Sequence, residues 1–426
     1  MIDRTKPPAL NLIDRLEIAE PEVARLDNGI PVYMFNAGKQ DIVKIDMLFE
    51  AGGRFQQQPL VARFTNKMLS EGTQSYTAFE IAEKLDYFGA YLGKMAYKDN
   101  SIVSISMLKK HLEDVLPIVA EIIIAPVFPE TELQTIAKKG KQAYMDDIRK
   151  VSELAAMNFN QQIFGQEHPY GKMIAVSDFD RLERDSLVEF HKQHYRPDSC
   201  KIVVAGKLPE NMLSLLNRYF GKYKMHSKNT RKNIFPAITP GNQKEFIDMP
   251  KSVQSAIRIG NITINKTHED YHKLFILNTI LGGYFGSRLM KNIREDKGYT
   301  YGIYSALISF QESAAFFIIS EVGSDVSESA VKEIYAELRK LRTEAISEQE
   351  LDLVKKYLSG SILCSFDGPF QTSERFKSLL ELNINFKSYY SDLVDTIKSI
   401  SPQELLDTAR NYFMEENMFE LVVGKK

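Results

Sequence analysis

Cysteine is nearly absent: Cys200 and Cys364 are the only two in 426 residues. They stand far apart and follow no metal-type spacing, so a disulfide framework and a cysteine-built zinc site are both excluded, and two buried free thiols in a reducing compartment are expected. Long apolar runs are missing too. The best candidate, IVAEIII at 118–124, is interrupted by Glu121 and is far shorter than a membrane span. The opening MIDRTKPPALNLIDRLEIAE carries charges and two prolines but no apolar core, so it does not read as a signal peptide, and a cytoplasmic location is the expectation. Charge of one sign is also lacking. With 54 basic and 56 acidic residues the formal net charge is −2, which gives no pull toward a nucleic acid or an anionic membrane.

What is present is the composition of a globular protein, 44% hydrophobic and 26% charged, in a chain long enough for two or three domains. It also repeats itself. YRPDSCKIVVAG starts at Tyr195 and FMEENMFELVVG at Phe413; PETEL starts at Pro129 and SEQEL at Ser347. Both pairs are 218 residues apart (195 to 413, 129 to 347). Two separated matches at one offset indicate two copies of one fold rather than a short-period solenoid. The seam is the polar, proline-containing stretch 224–243, which gives a first domain at 1–223, a linker, and a second domain at 244–426. The basic residues of the seam (Lys224, Lys228, Arg231, Lys232) have no interleaved aromatics and read as a solvated linker.

Within each copy, strand and helix periodicities alternate. Residues 42–49 alternate apolar and polar, as a half-buried strand does; Leu60, Phe64 and Met68 recur at helical spacing over 59–70; a second helix covers 78–88. The runs 90–96 and 101–107, joined by KDN, predict a hairpin, followed by helices at 112–124 and 131–150. The second copy repeats the order with a strand at 255–259, helices at 268–281 and 287–296, a hairpin at 300–322, and long helices after it. The expected class is α+β: two homologous domains arranged as a clamshell, each an antiparallel sheet of about five or six strands covered by helices on one main face.

The order AGGRFQ (51–56), helix, MLSEGT (68–73), hairpin, long helix with an acidic pair, HPYGK (168–172) resembles the first half of the M16 (pitrilysin, inverzincin) zinc peptidases. In that family the helix carries H-x-x-E-H, whose positions i, i+3 and i+4 share one face, so two imidazoles hold zinc and the carboxylate activates water. The matching positions here are Arg63, Asn66 and Lys67. An arginine has no lone pair to give, a charged lysine has none either, and an amide is no general base. The family's third ligand maps to Asp147, with Asp146 as the alternative, and Arg63 and Lys67 are read as a solvated helix face paired with one of these acids.

GGYFGSRLMKNIREDKGYTYGIYS (282–305) resembles the most recognisable segment of the family's second half, where an arginine and a tyrosine seven residues later hold the substrate backbone and the tetrahedral intermediate. Arg294 and Tyr301 match them. The long glycine-rich loop of the mitochondrial processing subunit is missing; only Gly282, Gly283 and Gly286 stand near its place. The resemblance implies the non-catalytic subunit of a heterodimer: no metal or other cofactor bound by this chain, zinc in a catalytic M16 partner with intact H-x-x-E-H, an unfolded peptide as substrate, and a homodimer as the alternative assembly of the isolated chain. One rival is a peptide-binding or structural scaffold, like the peptidase-derived core subunits of respiratory complexes. Another is an independent metallopeptidase using His268 and His272, since His268-Glu269-Asp270-Tyr271-His272 matches H-E-x-x-H. Against the latter, Thr267 and Asp270 read as a capping box that leaves both histidines on the polar side of a helix. His191 and His194 share a helix face and are expected at the surface.

Overall fold

The computed structural model describes residues 16–223 and 243–426, so the expected linker, apart from Gln243, lies outside the described residues. The first half contains β1 (Glu22–Arg25), β2 (Pro31–Asn36), β3 (Ile42–Phe49), α1 (Val61–Met68), α2 (Ala78–Tyr87), β4 (Tyr91–Ala96), β5 (Ser101–Leu108), α3 (Leu112–Ile124), α4 (Glu130–Asp147), α5 (Val151–Phe164), α6 (Arg184–His194), β6 (Cys200–Gly206) and α7 (Met212–Phe220). The second contains β7 (Lys244–Asp248), β8 (Gln254–Ile262), α8 (Tyr271–Asn278), β9 (Thr300–Ser309), β10 (Ala314–Gly323), α9 (Ser327–Thr343), α10 (Glu348–Cys364), α11 (Gly368–Leu380), α12 (Phe386–Ser399), α13 (Pro402–Tyr412) and β11 (Phe419–Gly424).

The repeat is visible in the pairing. The sheets have the orders β1-β2-β6-β3-β5-β4 and β7-β11-β8-β10-β9, the same arrangement apart from the extra β1. Val32 pairs with Ile202 and Lys244 with Glu420, so the equivalent central strands keep the 218-residue offset (202 to 420) while the strands before them are offset by 212 (32 to 244). The sheets are antiparallel except for one parallel pair in each, β2 with β6 and β7 with β11. β6 (CKIVVAG) shows why: an almost unbroken apolar run suits a strand buried on both faces. At the starts of α4 and α10, Pro129 and Ser347 are the caps, and the Ser347 side chain accepts from the Glu350 N–H.

The expectation of helices on one main face needs correcting, because both faces are covered and the second cover is exchanged. α5, from the first half, lies on β8 and β11, with Phe159 against Phe317 at a ring separation of 5.9 Å. Its equivalent in the second half, α11, lies on the first sheet, with Phe376 5.0 Å from Tyr33 and 5.3 Å from Phe35. The two shells are therefore interlocked. A buried ion pair fastens one of the exchanged helices: Lys377 of α11 lies 2.6 Å from Asp46 of β3.

Local departures have local causes. The helix expected over 59–70 begins at Val61, because the buried Leu60 sits in the left-handed region at φ 74°. α8 begins at Tyr271 rather than His268, and no capping box forms: the Thr267 hydroxyl donates to Asn265, and the Asp270 carboxylate is taken by Lys273 and Tyr412. Only one thiol is buried as expected. Cys200 is enclosed in β6, while Cys364 is exposed at the end of α10.

Candidate functional site

α1 buries the stripe Val61, Phe64 and Met68, which turns Arg63 and Lys67, one helical turn apart, toward solvent. Asn66 does not join them. Its side chain is 2% exposed, and its amide donates to the buried Tyr195 hydroxyl at 3.1 Å and the Ile102 carbonyl at 3.4 Å. Beneath the helix, Lys94 of β4 sends its amine to the Lys67 carbonyl at 2.5 Å, to the Ser70 hydroxyl, and toward Glu71 at 3.7 Å. Burial pushes this amine down to about 8, opposed by Glu71 and reinforced by the neighbouring Lys67 charge. Three cationic groups and a locked amide do not fit zinc, and among the described residues no group of three or more His, Cys, Asp or Glu comes together that could hold a metal.

The acids of α4 do not rescue the site. Asp147 is held by Lys150 at 2.8 Å, and Asp146 by Arg149 at 3.6 Å and by Gln142. Among the described residues neither acid pairs with Arg63 or Lys67, so the expected cross-helix pairing is absent. The reason is position. α4 meets α1 at Gly140, where an added Cβ would stand 3.2 Å from the Phe64 ring; Asp147 lies about two turns further on, near the exposed end of the helix.

The histidine expectations also change. His268 precedes α8, and its Nδ1 accepts from the Asp270 N–H at 3.1 Å, while His272 lies half-buried with its ring 4.7 Å from Tyr389. The i, i+4 geometry that H-E-x-x-H requires is therefore missing, and His272 is packed rather than on a polar face. His191 is not a surface residue, and His194 is only partly exposed. His191 is buried, bonded to the Ile123 carbonyl at 2.7 Å, and burial pushes its pKa down to about 4. His194 packs on Phe190 and Phe55 and bonds the Glu50 carbonyl at 3.1 Å.

In the second half the segment 279–305 opens with two wide helical turns, Thr279–Gly283 and Met290–Asp296, the latter closed by the Lys297 N–H on the Asn292 carbonyl. Gly282 permits a close approach to β9: a Cβ there would stand 2.6 Å from the Ser305 nitrogen. Arg294 projects from the second wide turn with its guanidinium 4.5 Å from the centre of the Phe285 ring. Among the described residues it makes no ion pair and no hydrogen bond. Tyr301, on the edge strand β9, is 95% exposed. Among the described residues, nothing takes up the hydrogen-bonding capacity of either group.

The residues that hold this strand in place carry no local sequence signal of that role. The turn between β9 and β10 is clamped by the first half: Asp99 accepts from the Gln311 N–H at 3.0 Å and from the Tyr170 hydroxyl at 2.5 Å, Arg54 pairs with Glu312 at 2.8 Å, and the Tyr170 ring stacks on Phe310 at 4.5 Å. His168 and Tyr170 of HPYGK are both buried here. HPYGK and AGGRF were visible in the sequence as parts of the resemblance, but what they touch depends on a hairpin more than 100 residues away, and no local pattern reports that.

No helix among the described residues is long and apolar enough to cross a membrane. Residues 32–174 match the family description "Insulinase (Peptidase family M16)", and residues 181–358 match "Peptidase M16 inactive domain". Among curated proteins, the chain is 24% identical over 404 residues to "Uncharacterized zinc protease YmxG" of Bacillus subtilis, covering 93% of this chain and 96% of that protein. It is 22% identical to the "Mitochondrial-processing peptidase subunit beta" of Caenorhabditis elegans, covering 96% and 90%. Among solved structures, its fold matches a peptidase M16 inactive domain from Pseudomonas fluorescens with a TM-score of 0.84 at 23% identity, covering 95% of this chain and 98% of that one, and a protease from Helicobacter pylori with a TM-score of 0.84 at 18% identity, covering 95% and 99%. With both family descriptions placed in order along a duplicated chain, this protein belongs to the M16 peptidase family.

Proposed function

We propose that this chain is the non-catalytic subunit of a heterodimeric M16 peptidase that cleaves unfolded peptides, with zinc bound by the partner subunit. The observation that carries the reading is the contrast between the halves. In the first, the ligand positions are Arg63 and Lys67 in solvent and Asn66 bonded into the core. In the second, the Arg294 guanidinium and the Tyr301 phenol are unclaimed among the described residues. An arginine and a tyrosine offered this way donate to a peptide carbonyl and strengthen their hold as that oxygen gains charge. Zinc supplies the water activation from the partner's side; this chain's part is to bind and orient the peptide.

The test is reconstitution with an M16 chain that carries an intact H-x-x-E-H, following an internally quenched unstructured peptide. Alone, this chain holds no stoichiometric zinc and cleaves nothing. In the complex, Arg294→Ala or Tyr301→Phe lowers activity by about 10²–10³, the loss usual for one oxyanion donor, while folding and dimerisation stay intact. The loss falls on kcat if the contacts strengthen in the transition state and on KM if they only hold substrate. Full activity from the Arg294→Ala, Tyr301→Phe double variant would leave the chain a scaffold.

A further inference from the structure

Two arginines project from the same helical segment, six residues apart, and are held in opposite ways. Arg288 spends its fork on Glu350, with two parallel bonds of 2.8 Å. Such a bidentate pair fixes the guanidinium but leaves little of it for a ligand. Among the described residues Arg294 has no carboxylate partner; what it has is the ring of Phe285 at 4.5 Å. A guanidinium held over an aromatic face is restrained by the ring's π-face rather than through hydrogen bonds, so its N–H donors are not taken by an acceptor. A ring is thus the holder that restricts an arginine without consuming the donors a substrate would need.

Phe285 is also a poor candidate for a packing residue. It is 64% exposed, whereas the neighbouring Tyr284 packs on Tyr357 with ring centres 4.7 Å apart. The loop that presents it is fixed at both ends, by the close approach of Gly282 to Ser305 and by the Ser287 N–H bonded to the Tyr284 carbonyl at 3.1 Å. The ring is therefore displayed from a braced loop with Arg294 as its partner.

We infer that Phe285 is a positioning residue for Arg294, holding its guanidinium in one plane with its donors free for the peptide carbonyl. The inference rests on the reading of Arg294 given above. It predicts a ring-specific effect. Phe285→Leu keeps apolar bulk and loses the ring face; Phe285→Tyr keeps the face.

The experiment has two arms. In this chain alone, the Arg294 side-chain N–H resonance carries an upfield ring-current shift that Phe285→Leu abolishes and Phe285→Tyr retains. In the reconstituted heterodimer with the quenched peptide, Phe285→Leu lowers kcat/KM about three- to fivefold, the size of an exposed cation–π contact, Phe285→Tyr restores it, and Phe285→Leu has no further effect once Arg294 is alanine. An equal loss with and without Arg294 would mean that the ring touches substrate directly and would overturn the positioning role. No loss from Phe285→Leu, with Arg294→Ala still costly, would overturn this inference and leave the subunit reading standing. If Arg294→Ala costs nothing, both fall. Absence of the ring-current shift overturns the inference without any activity measurement.

Discussion

Rebuilding the family motif in α1 is the sharpest test of why this half holds no metal. The perturbation is Arg63→His, Asn66→Glu, Lys67→His. The two outer changes fall on exposed positions and cost little stability. The middle one does not. Asn66 donates to the Tyr195 hydroxyl and the Ile102 carbonyl from a site that is 2% exposed, so a glutamate removes the donor and leaves two buried acceptors short, at about 1–3 kcal/mol in all. Its extra methylene enters a packed core beside the fully enclosed Tyr195, for about 1 kcal/mol more, while the tyrosine O–H can turn to the new carboxylate and recover part of this. Before that recovery the loss is about 2–4 kcal/mol, nearly all from Asn66→Glu, and the net falls at the lower end of this range. Asn66→Asp, which adds no methylene, isolates the polar part. Urea unfolding midpoints of the single and triple variants measure the stability, and elemental analysis of the dialysed triple variant measures zinc. Asp147 stays tied to Lys150 at the far end of α4, so the triple variant is expected to hold no stoichiometric zinc; if adding Asp147→Glu does not raise zinc affinity, Asp147 is not the fourth position. A triple variant that unfolds at the wild-type midpoint and retains stoichiometric zinc would refute the reasoning, because Asn66 would then not be locked and the donor set would have been one step from complete.

Three further outcomes are expected. Lys377→Met strands Asp46, whose Oδ1 has no hydrogen-bond partner among the described residues and whose remaining cation there is Lys44 at 3.4 Å; the chain should lose about 3 kcal/mol in urea unfolding, and adding Asp46→Asn should recover most of it. Burial, with the nearby Asp99 charge, pushes Glu381 up from 4.5 to about 7, against the pull of Lys377 and Lys201. The folded state thus favours the protonated form, so this contribution is fully present below pH 4.5 and is lost as pH rises through about 7; the fall is at most about 3 kcal/mol, and Glu381→Gln should flatten it in midpoints measured across that window. A thiol reagent should label Cys364 in the native chain and Cys200 only after unfolding; rapid native labelling of both would contradict the enclosure of β6.

Two copies of one α+β unit, the course of the principal helices and hairpins, and the lack of zinc donors at the H-x-x-E-H positions are all legible in the residues themselves. These are local properties: periodicity is set by the geometry of one element, and the absence of a lone pair belongs to the residue wherever it sits. That α5 and α11 cross to the opposite sheet is legible only in the folded chain, since an apolar stripe records that it must be covered but not which surface covers it. The fold likewise places Asn66 and His191 inside, the histidine against its expected surface position, because Tyr195 and the Ile123 carbonyl come to meet them from distant parts of the chain. Whether Arg294 was claimed by an acid could not be read locally either: Arg288, six residues before it, finds Glu350, while Arg294 finds a phenylalanine ring, and that difference lies in what the fold brings alongside each of them.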